Sequence, residues 1–254
     1  MSLDLSEFIE RKHFFRSYER SEIAFLHRYL RPGDTTIDVG ANVGVLAIEA
    51  AVRTRARVIA IEPIPSNLER LRANVAMNES ALIDIVACAA GQNTGMLSIG
   101  ITASQHAMHN SGSYSAGATE SVVQVPVELL DTIVEHRIAE TDRIRLLKID
   151  VEGMEVDVIL GGSELFENRR IDAVMFEWNV ALSTASAADV LRPYGFEIRE
   201  LGHFGRLRPV SHKLKRAAPK RPLPNWGPVT TIASWLRGDT RLYTMVALQP
   251  GTRT

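Results

Sequence analysis

Short apolar runs alternate with stretches of helical periodicity along most of this chain. In the first 30 residues Ile23, Phe25, Leu26, Tyr29 and Leu30 recur at helical spacing and predict one buried helical face. Pro32-Gly33-Asp34 breaks that helix. Thr35–Val39, β-branched and apolar, predicts a buried strand that runs into DVGANVG. A helix follows over 45–52, then a strand over 57–61 ending in Glu62-Pro63. Pro65-Ser66-Asn67 opens a helix over 65–77, with Ser66 expected as its cap. Beyond it the pattern predicts strands over 82–88, 144–149, 171–176, 195–201 and 241–248. It predicts helices over 130–139, 156–160 (stopped by Gly161-Gly162) and 185–191. Residues 96–101 and 122–127 alternate as an antiparallel hairpin would. Repeated strand–helix units imply parallel pairing, right-handed crossovers and a doubly wound α/β sheet. In such sheets the ligand sits at the carboxyl ends of the strands, where strand order reverses.

Composition changes this picture little. At 254 residues with 45% apolar and 23% charged content, the chain can fill a sizeable core. Cys88 is the only cysteine, which excludes intrachain disulfides and cysteine-based zinc clusters. Charges at Asp4, Glu7, Glu10, Arg11 and Lys12 interrupt what would be the apolar part of a secretory signal. No run approaches a membrane span, so a cytoplasmic location is expected. The formal net charge of −1 conceals an asymmetry: between His203 and Gly238 lie eight basic residues and no acidic one. An acidic body therefore carries a basic segment. Residues 102–121, rich in Ser, Gly, Ala and His, are expected to form a flexible loop.

The chemistry concentrates at strand ends. In Asp38-Val39-Gly40-Ala41-Asn42-Val43-Gly44 the glycines let backbone amides approach a ligand closely. Glu62 ends the next strand, where a carboxylate can accept both ribose hydroxyls of an adenosine. The chain has neither a G-x-G-x-x-G for a pyrophosphate nor a G-x-x-x-x-G-K-[ST] for a nucleotide triphosphate. S-adenosylmethionine, with an adenosine and no phosphate, fits this pairing. An NAD(P)-dependent oxidoreductase and a non-catalytic cofactor-binding module stand as alternatives.

TTIDVGANVG, VIAIEPIPSNLERLRANV, LLKIDVEGMEVDVILGG and VMFEWN, in that order, resemble the FkbM family of S-adenosylmethionine-dependent methyltransferases. The resemblance implies a class I methyltransferase (Rossmann-like) doubly wound sheet of seven strands, the last antiparallel. The domain would span 35–254 behind an N-terminal helical segment over 1–34, with the basic insertion at 203–238 between the last two strands. It further implies O-methylation of a polyketide or macrolide-type product, a sugar or a glycolipid. Asp38, Gly40, Asn42 and Gly44 would surround the methionine part and ribose of the cofactor, and Glu62 would hold the ribose hydroxyls. Pro63, Ile64, Ala89 and Ala90 would face the adenine. Asn67 would either assist the cofactor or cap its helix, and Asp131 either matches a family acid or starts a helix.

Methyl transfer to oxygen needs in-line placement and a route for the hydroxyl proton. Asp150, Glu152, Glu177 and Asn179 cluster at the ends of the fourth and fifth strands as candidates. Asp150, Glu177 and Asn179 are hard oxygen ligands that would suit Mg²⁺. Alternatively Asp150 or Glu152 balances the sulfonium charge or orients the acceptor, or Glu152 only favours the next helix N-terminus. Glu155, a turn further on, is expected to be solvated. His109, with His106, lies in the flexible loop as a candidate base. Lys148 should share a sheet face with Asp150, and Cys88 reads as a small buried apolar residue. The basic segment would suit an anionic or carrier-linked acceptor, a peripheral membrane contact, or no dedicated partner; nucleic acid is disfavoured because no binding module is visible.

Overall fold

The computed structural model describes residues 19–101, 121–151, 153–179, 187–210 and 242–252, with backbone alone at 101, 121, 178, 179, 242 and 243. Helix α1 (Arg20–Tyr29) leads into β1 (Thr35–Val39), α2 (Val45–Thr54), β2 (Arg57–Ile61), α3 (Pro65–Ala76) and β3 (Ile83–Val86). Next come β4 (Ala89–Ala90), β5 (Gly95–Ile101), β6 (Ser121–Glu128), α4 (Leu130–Glu135) and β7 (Ile144–Ile149). The remainder comprises α5 (Glu155–Leu160), α6 (Ser163–Glu167), β8 (Ala173–Asn179), α7 (Ala187–Leu191), β9 (Glu197–Leu201), β10 (Leu207–Pro209) and β11 (Leu242–Leu248).

The main sheet runs β10-β9-β11-β8-β7-β1-β2-β3. Pairing is parallel from β3 through β8, and β11 is antiparallel to both β8 and β9. Reversal of order between β2-β1 and β7 opens the crevice at the carboxyl ends of β1 and β7. This is the class I methyltransferase sheet with its antiparallel last strand, but it has eight strands rather than seven. The added strand is β10, from a stretch assigned to the basic insertion, which pairs antiparallel with β9 and forms the sheet edge. Residues 211–238 of that insertion and 239–241 after it, 102–120 of the expected loop, and His106 and His109 lie outside the described residues.

Alternating burial explains the two faces. On one face Ile37, Val39, Ile59, Ile61, Leu147 and Ile149 pack under α4–α7; on the other Val58, Ala60, Leu146 and Met175 pack under α1–α3. Phe25, Leu26 and Tyr29 of α1, with Leu30 just after it, join that second core directly, so α1 shares the core of the sheet. Helix α1 runs opposite to the parallel strands. Its first turn reaches Thr244, whose hydroxyl donates to Glu22 Oε1, and its last places Tyr29 under the Arg145 guanidinium near the start of β7.

Three expectations need correction. The strand over 82–88 stops at Val86; Ala89–Ala90 turns away to pair with β6, because Ala89 finds its apolar cover in Ile99 and Val125 of the β5–β6 hairpin. The predicted hairpin itself is present, with all of β5 antiparallel to Ser121–Val127 of β6. The helix over 130–139 ends at Glu135, where the Arg137 guanidinium donates to Ile133 O at 2.9 Å and takes up a terminal carbonyl. Ser66 does not cap α3; the cap position is Ile64, followed by Pro65, whose missing N–H costs nothing in a first helical turn.

Candidate active site

The DVGANVG turn leaves β1 through two left-handed glycines and a left-handed asparagine: Gly40 (φ 77), Asn42 (φ 53) and Gly44 (φ 91). The amides of Gly40 and Ala41 both donate to Ile61 O, at 2.9 and 3.0 Å, which folds the turn over the end of β2. There Glu62, 3% exposed, closes the network. Its Oε2 accepts from Asn42 N at 2.8 Å, and its Oε1 accepts from Ile64 N at 2.9 Å and Asn67 Nδ2 at 3.2 Å. Burial raises the Glu62 pKa although these donors pull it down. Oε1 is filled; Oε2 keeps a lone pair for a ribose hydroxyl. Asn67 is thus a support for Glu62 rather than a helix cap, and Asn74 Nδ2 donates to Val43 O, tying α3 to the same turn.

Adjoining this cradle, Ile64 packs with Ala89 in one small apolar cluster, and Pro63 is half-buried beside it. These surfaces suit the flat, apolar adenine. Ala90 instead belongs to the main core. Asp38 is buried, and its charge is met by Lys148 Nζ, 3.0 Å from Oδ1. With a left-handed turn at Gly40 packed against the turn after β7, a buried carboxylate at Asp38 and a free lone pair on Glu62, the residues present fit S-adenosylmethionine.

Asp150 follows β7 with its side chain 35% exposed, and Lys148 Nζ lies 3.5 Å from its Oδ2. Lys148 therefore shares the face of Asp150, as expected. Burial depresses the lysine pKa, but Asp38, Asp150 and Glu19 together hold it above the ordinary range. Pairing of β7 with β8 ends at Ile149 and Phe176, so Asp150 and Glu177 are the residues that follow the last pair, and Glu177 pairs across to Thr244. Glu152 and the Asn179 side chain lie outside the described residues. The expected Mg²⁺ site finds no support: no three His, Cys, Asp or Glu side chains among the described residues group to hold a metal. The donor set also fits poorly, since an ammonium already sits against Asp150 and repels a second cation. Glu155, expected to be solvated, is half-buried and accepts from Gly153 N at 3.0 Å. Asp131 accepts from Glu164 N and Leu165 N at 3.0 and 3.1 Å, so it anchors the start of α6 and stands apart from the cradle.

Local sequence did not mark Glu19. It precedes α1 in a left-handed conformation (φ 48) and faces Lys148, Asp150, Glu22 and Asp38. Burial, opposed by Lys148 and reinforced by the three carboxylates, moves its pKa from 4.5 up to about 8. A folded pKa above the unfolded one means the neutral acid stabilises the fold below about pH 4.5, and this contribution is lost as pH rises to about 8. Thermal melts of Glu19→Gln should therefore match wild type at pH 4.5 and exceed it at pH 9; equal melting temperatures at pH 9 would place Glu19 in solvent.

No helix among the described residues is long and apolar enough to cross a membrane. Over 60 residues the chain is 37% identical to the ribosomal protein L11 methyltransferase of Thermotoga maritima, a match spanning 24% of this chain and 23% of that relative. Two solved structures resemble it over most of their length. The precorrin-6y C5,15-methyltransferase of Geobacter metallireducens is 13% identical, with 90% of this chain and 88% of that one covered and a TM-score of 0.45. For the TehB-like SAM-dependent methyltransferase of Corynebacterium glutamicum the identity is 8%, the coverage 94% and 92%, and the TM-score 0.47. Residues 38–201, the span from the β1 turn to the end of β9, match the Methyltransferase FkbM domain. The chain belongs to the FkbM family of S-adenosylmethionine-dependent methyltransferases.

Proposed function

We propose that this methyltransferase acts on a hydroxyl oxygen of a small molecule, a polyketide-type product or a sugar or glycolipid. The observation that carries the reading is Asp150, a part-exposed carboxylate on the strand end that borders the buried cofactor cradle. The cofactor supplies an electrophilic methyl group. Held by the turn after β1 and by Glu62, the cofactor would give that methyl to the acceptor oxygen and leave as the thioether, and the hydroxyl proton would then need an acceptor. Asp150 takes that proton, and Lys148, 3.5 Å from its Oδ2, holds the carboxylate in position. Glu177, which follows the last β7–β8 pair as Asp150 does, orients the acceptor. Arg206 and Arg208, at the start of the basic segment, support an acceptor carrying an anionic or carrier-linked group, with peripheral membrane contact as the route to a glycolipid.

Methyl-labelled S-adenosylmethionine incubated with a panel of hydroxylated glycosides and polyketide alcohols tests the reading. Label should appear in an ether. With the acceptor so found, Asp150→Asn should lower kcat by about 10²–10⁴-fold, the usual worth of a general base. Label recovered on nitrogen or carbon, or turnover by Asp150→Asn within threefold of wild type, overturns it.

A further inference from the structure

Two turns far apart in sequence form the cofactor cradle, and they touch. A Cβ built on Gly40 would lie 2.0 Å from Asp150 O, and Asp150 N donates to Val39 O at 3.1 Å. Lys148 lies immediately beneath, in register with Asp38 on β1 and Met175 on β8. Its strand neighbours on the same face, Leu146 and Met175, are fully buried and apolar. A lysine there is costly unless every charge and donor is met. It is met three ways: Nζ donates to Gly40 O at 3.2 Å, and pairs with Asp38 Oδ1 at 3.0 Å and Asp150 Oδ2 at 3.5 Å. An ammonium has three donors, and these partners come from β1, from its turn and from the turn after β7. An apolar side chain would satisfy the packing but could not join the turns.

We propose that Lys148 is a positioning residue for the cofactor. By holding Asp38, the Gly40 carbonyl and Asp150 at once, it fixes the turn after β1 against the turn after β7 and so sets the shape of the pocket. The inference rests on the cradle being the cofactor site, and it assigns Lys148 no contact with the reacting atoms.

Calorimetry with S-adenosylhomocysteine, the neutral product, tests it without any acceptor. The proteins are wild type, Lys148→Met, Lys148→Arg, Asp150→Asn and the Lys148→Met/Asp150→Asn double variant, each checked for folding by circular dichroism. Lys148→Met should weaken binding at least about tenfold, and Lys148→Arg should recover most of that loss because the charge and donors return. Asp150→Asn should weaken binding about threefold in wild type and have no further effect in Lys148→Met, the non-additivity expected of residues acting through one another. A purely structural lysine would give additive losses, and that result, or affinity within twofold of wild type in Lys148→Met, overturns the clamp. If Lys148→Met does not fold, Asp150→Asn decides alone, since its side chain is part-exposed: affinity within twofold of wild type overturns the proposal and a threefold loss supports it. Wild-type protein that binds no S-adenosylhomocysteine overturns the assignment of the cradle itself, an outcome distinct from failure of the clamp.

Discussion

Gly40→Ala should weaken cofactor binding severely and remove a large part of the protein's stability. The residue has φ 77, where an L side chain costs about 1–2 kcal/mol. The added methyl would also lie 2.0 Å from the backbone oxygen of Asp150, an atom that no rotamer change can move. Relief requires the turn to separate from β7, which breaks the Lys148 bond to Gly40 O and the pair of amide bonds to Ile61 O. Overpacking adds about 1–3 kcal/mol, so denaturant unfolding should show a loss of about 2–5 kcal/mol. Dissociation constants should rise at least about 100-fold, equivalent to about 2.7 kcal/mol. Gly44→Ala is the matched control. Its φ of 91 carries a similar backbone penalty, but its new methyl would meet Leu71 Cδ1 at 2.5 Å, the far end of a side chain that can move. Its affinity loss should stay below about tenfold. The reverse order of severity would show that the turn is not built against Asp150.

Those two glycines were legible in the sequence because a β-branched run ends abruptly in them, and Glu62 because it closes the next strand before a proline. Such signals are local: a strand, a stop and a polar residue within a few positions. The β5–β6 hairpin was legible for the same reason, through alternation on both sides of the expected loop. Misreadings came where the answer depended on distant partners. Nothing in residues 82–90 tells that Ala89 pairs with Val127 instead of continuing beside β2. The reach of β10 to β9 depends on an edge left open by the sheet, and α6 restarts after Gly162 because Asp131, 33 residues earlier, supplies its N-terminal acceptors. The site shows the same division. Glu62 was found by its place on a strand, whereas the partners of Lys148 emerge only once β7 is laid against β1, with Gly40 108 residues away. Reading Asp150, Glu177 and Asn179 by ligand type alone suggested a dication; the ammonium against Asp150 was visible in composition but not in placement. Glu19 was missed because an acid before a helix looks solvated until the helix is seen to begin at the ligand edge of the sheet.

Glu62→Gln should separate folding from binding. Both carboxylate oxygens face donors: Asn42 N on one side, Ile64 N and Asn67 Nδ2 on the other. A glutamine has one acceptor oxygen, so its amide nitrogen must point at an N–H, with least harm toward Asn42. That strands one buried donor, at about 1–3 kcal/mol, but it also removes a charge that burial disfavours. The two effects oppose, and unfolding free energy should fall by no more than about 2 kcal/mol. Binding has no such offset. The lone pair on Oε2 left for a ribose hydroxyl is replaced by a donor, and the Asn42 amide that shapes the turn is pushed away. S-adenosylhomocysteine affinity should therefore drop at least about 100-fold. Acidity gives an independent reading, because the signs differ. Burial raises the folded pKa above 4.5, so the group's contribution to stability is fully present below pH 4.5 and is lost as pH rises through the folded value. Ribose hydroxyls donate to the ionised form, so wild-type affinity must instead fall as pH drops through that same folded value. In Glu62→Gln this part of the pH dependence of binding should vanish. Affinity within tenfold of wild type, or an unchanged acid limb in the variant, would move the ribose elsewhere and leave Glu62 as a brace for the turn alone.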